Sequence, residues 1–341
     1  MARPDHDPAA PGGRKADHLR IAGDPGVEHA GTTGLEAVRL RHRALPGRAL
    51  ASVGLDAELL GVPLGAPLVI SAMTGGAAEA ATVNRRLLAA AAHHRIALVL
   101  GSGRALLGDP TLLPTYRPPG APRPPLLLAN LGAAQVRGPH GADRAERLVD
   151  LLGADGVAIH LNPVQEAVQP EGEADFAGVV EGIAAVATRL APRPVVAKEV
   201  GFGLDPDDVR LLAGAGVAAV DVAGAGGTNW ALIEGRRDTR AGAVAAAFAG
   251  WGTPTAEALT GALAAAPGLP VIASGGLWDG VEVAKCLALG AVAAGVARPF
   301  LLAAQADRAV EAVGAVLEQL RIAAWAAGAP SAGTLGREHL R

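Results

Sequence analysis

The densest run of chemically able side chains is His160-Leu161-Asn162-Pro163-Val164-Gln165-Glu166, continued by Gln169, Glu171 and Gly172. It follows directly on Gly156-Val157-Ala158-Ile159, an apolar run that reads as a buried strand. Barrels and open α/β sheets carry their chemistry at the C-terminal ends of such strands. Glu166 offers the hard oxygen that Mg²⁺ takes, and Mg²⁺ commonly bridges a protein carboxylate and a substrate phosphate. Asn162 and Gln165 can hydrogen-bond a substrate. His160 alone is compatible with a base, a phosphate ligand or a satisfied polar residue; beside Asn162, Gln165 and Glu166 the site reading is favoured.

Three further groups could share that chemistry. Lys198 interrupts the apolar run Val195-Val196-Ala197-Lys198-Glu199-Val200, and an unpaired lysine is costly to bury. It reads as a Schiff-base nucleophile or as a cation holding a negative cofactor, against the plainer reading of an ion pair with Glu199. Ser274-Gly275-Gly276 and Ala294-Gly295, with Gly224-Ala225-Gly226-Gly227-Thr228, provide backbone amides that can approach phosphate oxygens. Arg14-Lys15-Ala16-Asp17-His18 suits a diphosphate, although read locally it is a solvated basic turn, and Arg104 adds another cation.

What must position these groups is legible from periodicity. Apolar runs at 68–73, 97–102, 125–131, 156–162, 195–200, 218–224, 270–276 and 291–297 alternate with Ala/Leu/Glu/Arg-rich segments of helical character, such as 84–93, 143–152, 176–190, 205–213, 255–265 and 281–289. Asp205-Pro206 is an N-cap followed by proline at the first helical position. Eight strand-then-helix units, every strand ending in polar or glycine residues, predict a (β/α)8 TIM barrel with an N-terminal extension. The expected organisation is a disordered start over 1–13, an extension over 14–65, a barrel over 66–327 and a tail over 328–341. Residues 225–254 read as an insertion after the sixth strand, of the kind that forms lids.

Composition narrows the class. Half of the 341 residues are hydrophobic, the formal net charge is −3, and Cys286 is the only cysteine. Nucleic acid is disfavoured as a partner, and an internal disulfide or cysteine zinc site is excluded. No apolar stretch reaches the roughly 18 residues of a spanning helix. The expectation is a soluble cytoplasmic protein without a membrane partner.

In order and in register from Arg14 to about Phe300, these motifs resemble type 2, FMN-dependent isopentenyl diphosphate isomerase. The resemblance rests on Arg14-Lys15-x-x-His18, Ala72-Met73-Thr74-Gly75-Gly76, Gly101-Ser102-x-Arg104, Asn130-Leu131-Gly132 and the run from His160 to Gly172. It continues through Lys198-Glu199-Val200-Gly201-x-Gly203, Asp221-Val222-x-Gly224-x-Gly226-Gly227-Thr228 and Ser274-Gly275-Gly276. It implies conversion of isopentenyl diphosphate to dimethylallyl diphosphate by moving a proton and a double bond, on reduced FMN, with Mg²⁺, and with NADPH as reductant. It implies FMN contacts at Ala72, Met73, Thr74, Ser102, Asn130, Lys198 and Thr228, with the phosphate on Gly275, Gly276, Ala294 and Gly295. Substrate would lie on Arg14, Lys15, Ser102, Arg104, His160, Asn162 and Gln165, and the metal on Glu166. Lys198, Gln165 and His160 are the expected catalytic group, Lys198 favouring the anionic reduced flavin. A homotetramer or octamer is expected.

Departures from the family pattern are few. Trp278 stands where the family often has arginine, which predicts looser FMN retention. An FMN-dependent 2-hydroxy-acid oxidase shares the barrel, the strand-5 lysine and Ser-Gly-Gly. It needs a histidine base, however, and Thr228-Asn229-Trp230 supplies none. The other alternative is a non-catalytic flavin- or phosphate-binding barrel, against which Gln165-Glu166 and Arg14-Lys15 argue.

Overall fold

The computed structural model describes residues 13–238 and 240–341. The expected disordered start lies outside the described residues except for Gly13, which opens a helix. Eight parallel strands close on themselves: β1 Leu68–Ile70, β2 Ala97–Val99, β3 Leu127–Gly132, β4 Gly156–Leu161, β5 Val195–Glu199, β6 Ala219–Asp221, β7 Val271–Ser274 and β8 Ala293–Val296. The circle is completed by β8 pairing with β1, Gly295 opposite Val69. The expected (β/α)8 barrel is therefore the observed fold. The strands are shorter than the apolar runs, because the last residues of several runs leave the ladder to form the mouth.

Strand period two then decides what the barrel contains. Val69, Ala97, Val99, Leu128, Ala158, Val196, Ala219, Ile272 and Ala293 pack together inside it. One step of two further along, the same parity places Ser71, Asn130, His160, Lys198, Asp221, Ser274 and Gly295 in the next interior layer. The register sets His160 opposite Lys198 and Lys198 opposite Asp221. Residues of the other parity, such as Leu127, Val157, Ala197, Val220 and Ala294, belong to the core between barrel and helices. A hairpin of Ala57–Leu59 and Val62–Leu64 closes the N-terminal end, with Leu59 and Leu64 joining the interior layer.

The helices follow local rules. The Asp205 carboxylate accepts from Asp207 N at 2.8 Å, capping Pro206–Gly214. Gly216, at φ +81°, turns the chain after it. The 328–341 tail lies against the extension, with bridges Leu40–Leu340 and Gly54–Ser331. Within 225–254 are the helices Trp230–Arg237 and Gly242–Ala247. The first packs against helix Gly13–Gly23, where the His18 and Trp230 rings meet edge to face at 5.4 Å.

Candidate active site

One cavity opens at the C-terminal ends of the barrel strands. Arg14, Lys15, Ala72, Met73, Thr74, Ser102, Arg104, Asn130, His160, Asn162, Gln165, Glu166, Lys198, Thr228, Gly275, Gly276 and Gly295 all line it. Ala294 does not. As an even-numbered residue of β8 it points outward into the core under the helices, while its neighbour Gly295 faces the cavity. The Arg14–His18 stretch, a basic turn when read locally, is instead part of helix Gly13–Gly23 lying over the mouth.

At the floor, the His160 Nδ1 lies 2.6 Å from Asn130 Oδ1. That oxygen can only accept, so Nδ1 carries the hydrogen and Nε2 is left as an acceptor. Burial, with Lys198, Lys15 and Arg14 nearby, lowers the His160 pKa to about 3, so the ring is neutral through the physiological range. The Lys198 ammonium donates to the Glu199 carbonyl oxygen. The Glu199 carboxylate is not its partner. Strand alternation sends that group outward, where Oε2 accepts from Val200 N at 2.6 Å, Gly201 N at 2.6 Å, Phe202 N at 2.5 Å and Gly203 N at 3.2 Å. Lys198 is thus 6 % exposed with a cavity beside it and, among the described residues, without a carboxylate bonded to it. Asp221, the next inward group, accepts from Ser274 Oγ at 2.5 Å, and burial raises its pKa.

The glycines form a cradle with no room for side chains. Gly275 and Gly276 have φ of +103° and +71°, and a Cβ on Gly275 would lie 2.0 Å from Gly224 O. A Cβ on Gly295 would lie 2.4 Å from Ser71 Oγ. Ser71 Oγ and Thr74 Oγ1 are buried on this wall and lack hydrogen-bond partners among the described residues. Buried hydroxyls are normally satisfied, so a polar ligand is the expected partner. The wall is braced from behind: Asn84 Nδ2 donates to Thr74 O at 3.1 Å, and the Tyr116 hydroxyl to Ser102 O at 2.8 Å. This donor set, with a lysine and free amides, fits a phosphorylated flavin.

Toward the mouth, Asn162 Nδ2 donates to Gln165 Oε1 and to Glu166 Oε1, each at 3.0 Å. Glu166 Oε2 accepts from Glu173 N at 2.7 Å, and Glu173 is ion-paired with Arg104. The Lys15 pKa is lowered to about 8. Burial is the main cause, Arg14 and Arg104 add to it, and Glu234 and Glu166 oppose it. Arg14, Lys15 and Arg104 thus gather positive charge at the mouth beside Glu166.

The group missed from the sequence is Glu234, which is fully buried. Its Oε1 accepts from Gln165 Nε2 at 2.8 Å and lies 2.8 Å from His18 Nε2, and its Oε2 is ion-paired with Arg237. The Gln169 amide, turned so that both its ends are satisfied, donates to Glu234 Oε1 at 3.1 Å and accepts from Arg14 Nη1 at 3.1 Å. Burial would raise this carboxyl, but His18, Gln165 and Arg237 outweigh it and hold its pKa at about 2. A glutamate on the apolar side of Ala231-Leu232-Ile233, three residues before Arg237, was the available signal.

Comparison with known proteins agrees with this geometry. Residues 174–341 match the family model described as FMN-dependent dehydrogenase. The chain is 47% identical to an isopentenyl-diphosphate delta-isomerase of Stutzerimonas stutzeri, over 92% of each chain. It is 46% identical to one from Xanthobacter autotrophicus over 97% of this chain and 98% of that one, and 45% to one from Nostoc sp. over 87% and 86%. Solved structures share the fold at lower identity. A mandelate oxidase has TM-score 0.63 at 21% identity, covering 96% of this chain and 97% of that one. A flavocytochrome b2 has TM-score 0.67 at 16% identity, covering 95% and 82%. The chain therefore belongs to the isopentenyl-diphosphate delta-isomerase family, in its FMN-dependent type 2 form.

Proposed function

We propose that this barrel converts isopentenyl diphosphate to dimethylallyl diphosphate, with reduced FMN, Mg²⁺ and NADPH as the source of the reduced flavin. The observation that carries the reading is one cavity holding both a side-chain-free glycine cradle with orphaned hydroxyls and a cluster of cations, Arg14, Lys15 and Arg104. FMN would lie on Ala72, Met73, Thr74, Ser102, Asn130, Lys198 and Thr228, its phosphate on Gly275, Gly276 and Gly295. When bound and reduced, it supplies a proton donor and acceptor beside the alkene.

The chain's own residues do the rest. Arg14, Lys15 and Arg104 neutralise the diphosphate, and Glu166 holds a divalent cation against it. Anchoring that end orients the apolar tail and converts much of the entropic barrier into binding. Neutral His160 presents Nε2 as a hydrogen-bond acceptor. Gln165 is locked between Asn162 and Glu234, so its amide cannot turn. Lys198 stabilises negative charge at the cofactor. A homotetramer or octamer is part of the reading, supported by half-exposed Leu211 and Trp251 on the rim of an apolar groove with Val164, Phe176 and Val180; light scattering measures it. No helix among the described residues is long and apolar enough to cross a membrane.

The test is an anaerobic assay with FMN, NADPH and Mg²⁺ that follows the conversion. Turnover should vanish when FMN is omitted or left oxidised. Bound FMN without conversion would reject the substrate assignment.

A further inference from the structure

Arg298 follows β8 and lines the cavity beside Gly275, Gly276 and Gly295. Its side chain is 11% exposed. Nε donates to Ala22 O at 2.9 Å and Nη2 to Asp24 O at 2.9 Å, closing the C-terminal end of helix Gly13–Gly23. Nη1 donates to Glu28 Oε1 at 2.5 Å. Its guanidinium carbon lies 5.8 Å from the centroid of the Trp278 ring, on the same cavity wall. Three acceptors in one segment and an aromatic face define the position of this group completely. A guanidinium has five N–H donors, so among the described residues two stay uncommitted in a residue that borders the glycine cradle.

We propose that Arg298 joins the cofactor's phosphate to the substrate-binding helix: its remaining donors contact the phosphate while its committed donors hold residues 22–28, and with them Arg14 and Lys15. The proposal rests on the assignment of the cradle to FMN. It makes Arg298 the cation at this end of the cavity where Trp278 offers none, and Trp278 the platform that stops the guanidinium from swinging away. Flavin binding and ordering of the helix are then one event, so substrate meets a complete set of cations only in the flavin-loaded enzyme. Lysine could not replace it, being a single point charge that cannot bridge three acceptors and a phosphate.

The test compares wild type with Arg298→Gln and Arg298→Lys. Flavin dissociation constants come from titration of apoprotein with FMN, and helix order from the rate of tryptic cleavage at Arg20 with and without FMN. Neither readout needs substrate, so a failure of the isomerase assignment is visible separately, in the wild-type turnover assay. In wild type, FMN should slow cleavage at Arg20. In Arg298→Gln, the FMN dissociation constant should rise by at least about tenfold, the scale of a lost charge-assisted hydrogen bond. FMN should no longer protect Arg20, and at saturating flavin KM for isopentenyl diphosphate should rise by more than kcat falls. Arg298→Lys should share the loss of protection. Wild-type flavin affinity in Arg298→Gln, or protection of Arg20 unchanged in both variants, would overturn the proposal. Should Arg298→Gln fail to fold, Glu28→Gln, at a partly exposed partner, is read in the same way: cleavage at Arg20 in its FMN-loaded form must be faster than in wild type, and an equal rate overturns the clamp.

Discussion

Replacing Glu234 with glutamine keeps the shape of the side chain and removes its charge. Its pKa stands at about 2 instead of 4.5, and each unit is worth roughly 1.4 kcal/mol, which gives about 3 kcal/mol of stability from ionised Glu234. Burial lowers the pKa of His18 itself, which leaves Arg237 as the counter-charge that does not titrate. That places the loss toward about 2–3 kcal/mol, the range for a charge-assisted hydrogen bond in a buried site. Because the folded pKa is depressed, the contribution is complete above pH 4.5 and is lost as the pH falls toward 2. At pH 7, Glu234→Gln should melt about 5 °C below wild type, and the gap should narrow steadily below pH 4.5. The same variant should raise KM for isopentenyl diphosphate, because Gln165 and, through Gln169, Arg14 lose their anchor. Thermal melts across pH 3–7 measure the first effect and initial rates the second. Equal melting temperatures at pH 7, or a gap that stays constant to pH 3, would refute the reasoning.

Lys15 titrates near 8 in the free enzyme, and only the protonated form attracts a diphosphate, so kcat/KM should fall as the pH rises through 8. Lys15→Arg should move that limb upward; an unchanged limb would assign it elsewhere. His160, with its pKa near 3, should contribute no acid limb around pH 6, which pH–rate profiles of wild type and His160→Gln can check. Lys198→Ala should lose flavin affinity and activity together, read by FMN titration and turnover, with wild-type turnover rejecting its role. Glu166→Gln should raise the Mg²⁺ concentration needed for half-maximal rate, and an unaltered Mg²⁺ dependence would remove Glu166 as the metal ligand. Gly275→Ala would drive a methyl into Gly224 O at 2.0 Å, so the purified variant should carry no flavin.

Trp278 shows what the fold adds to a local reading. From the sequence it predicts a missing cation; in the fold, Arg298 from the next strand end lies against its ring. Glu234 was equally hidden. Its pairing with Arg237 is local, but nothing within Trp230–Arg237 says that its carboxylate meets His18 and Gln165, because those contacts join segments more than sixty residues apart. The Arg14–His18 stretch reads as a solvated turn for the same reason: its helix is covered by the distant helices Trp230–Arg237, Arg298–Gln305 and Ala78–His93.

The sequence by itself determined the eight strands, their order and the residues at their C-terminal ends, because hydrophobic periodicity and capping act over a few residues. It also determined most of the cavity lining, since alternation fixes which residues of a strand face inward. That rule separates Gly295 from Ala294, but only the closed barrel decides which parity is the interior one. The tertiary structure alone decided the partners of the buried charges. Glu199 turned outward to four amides, Lys198 was left facing the cavity, and Glu234 became a shared anchor. Charge pairing across the mouth depends on distances between loops, which chain connectivity leaves free until the barrel closes.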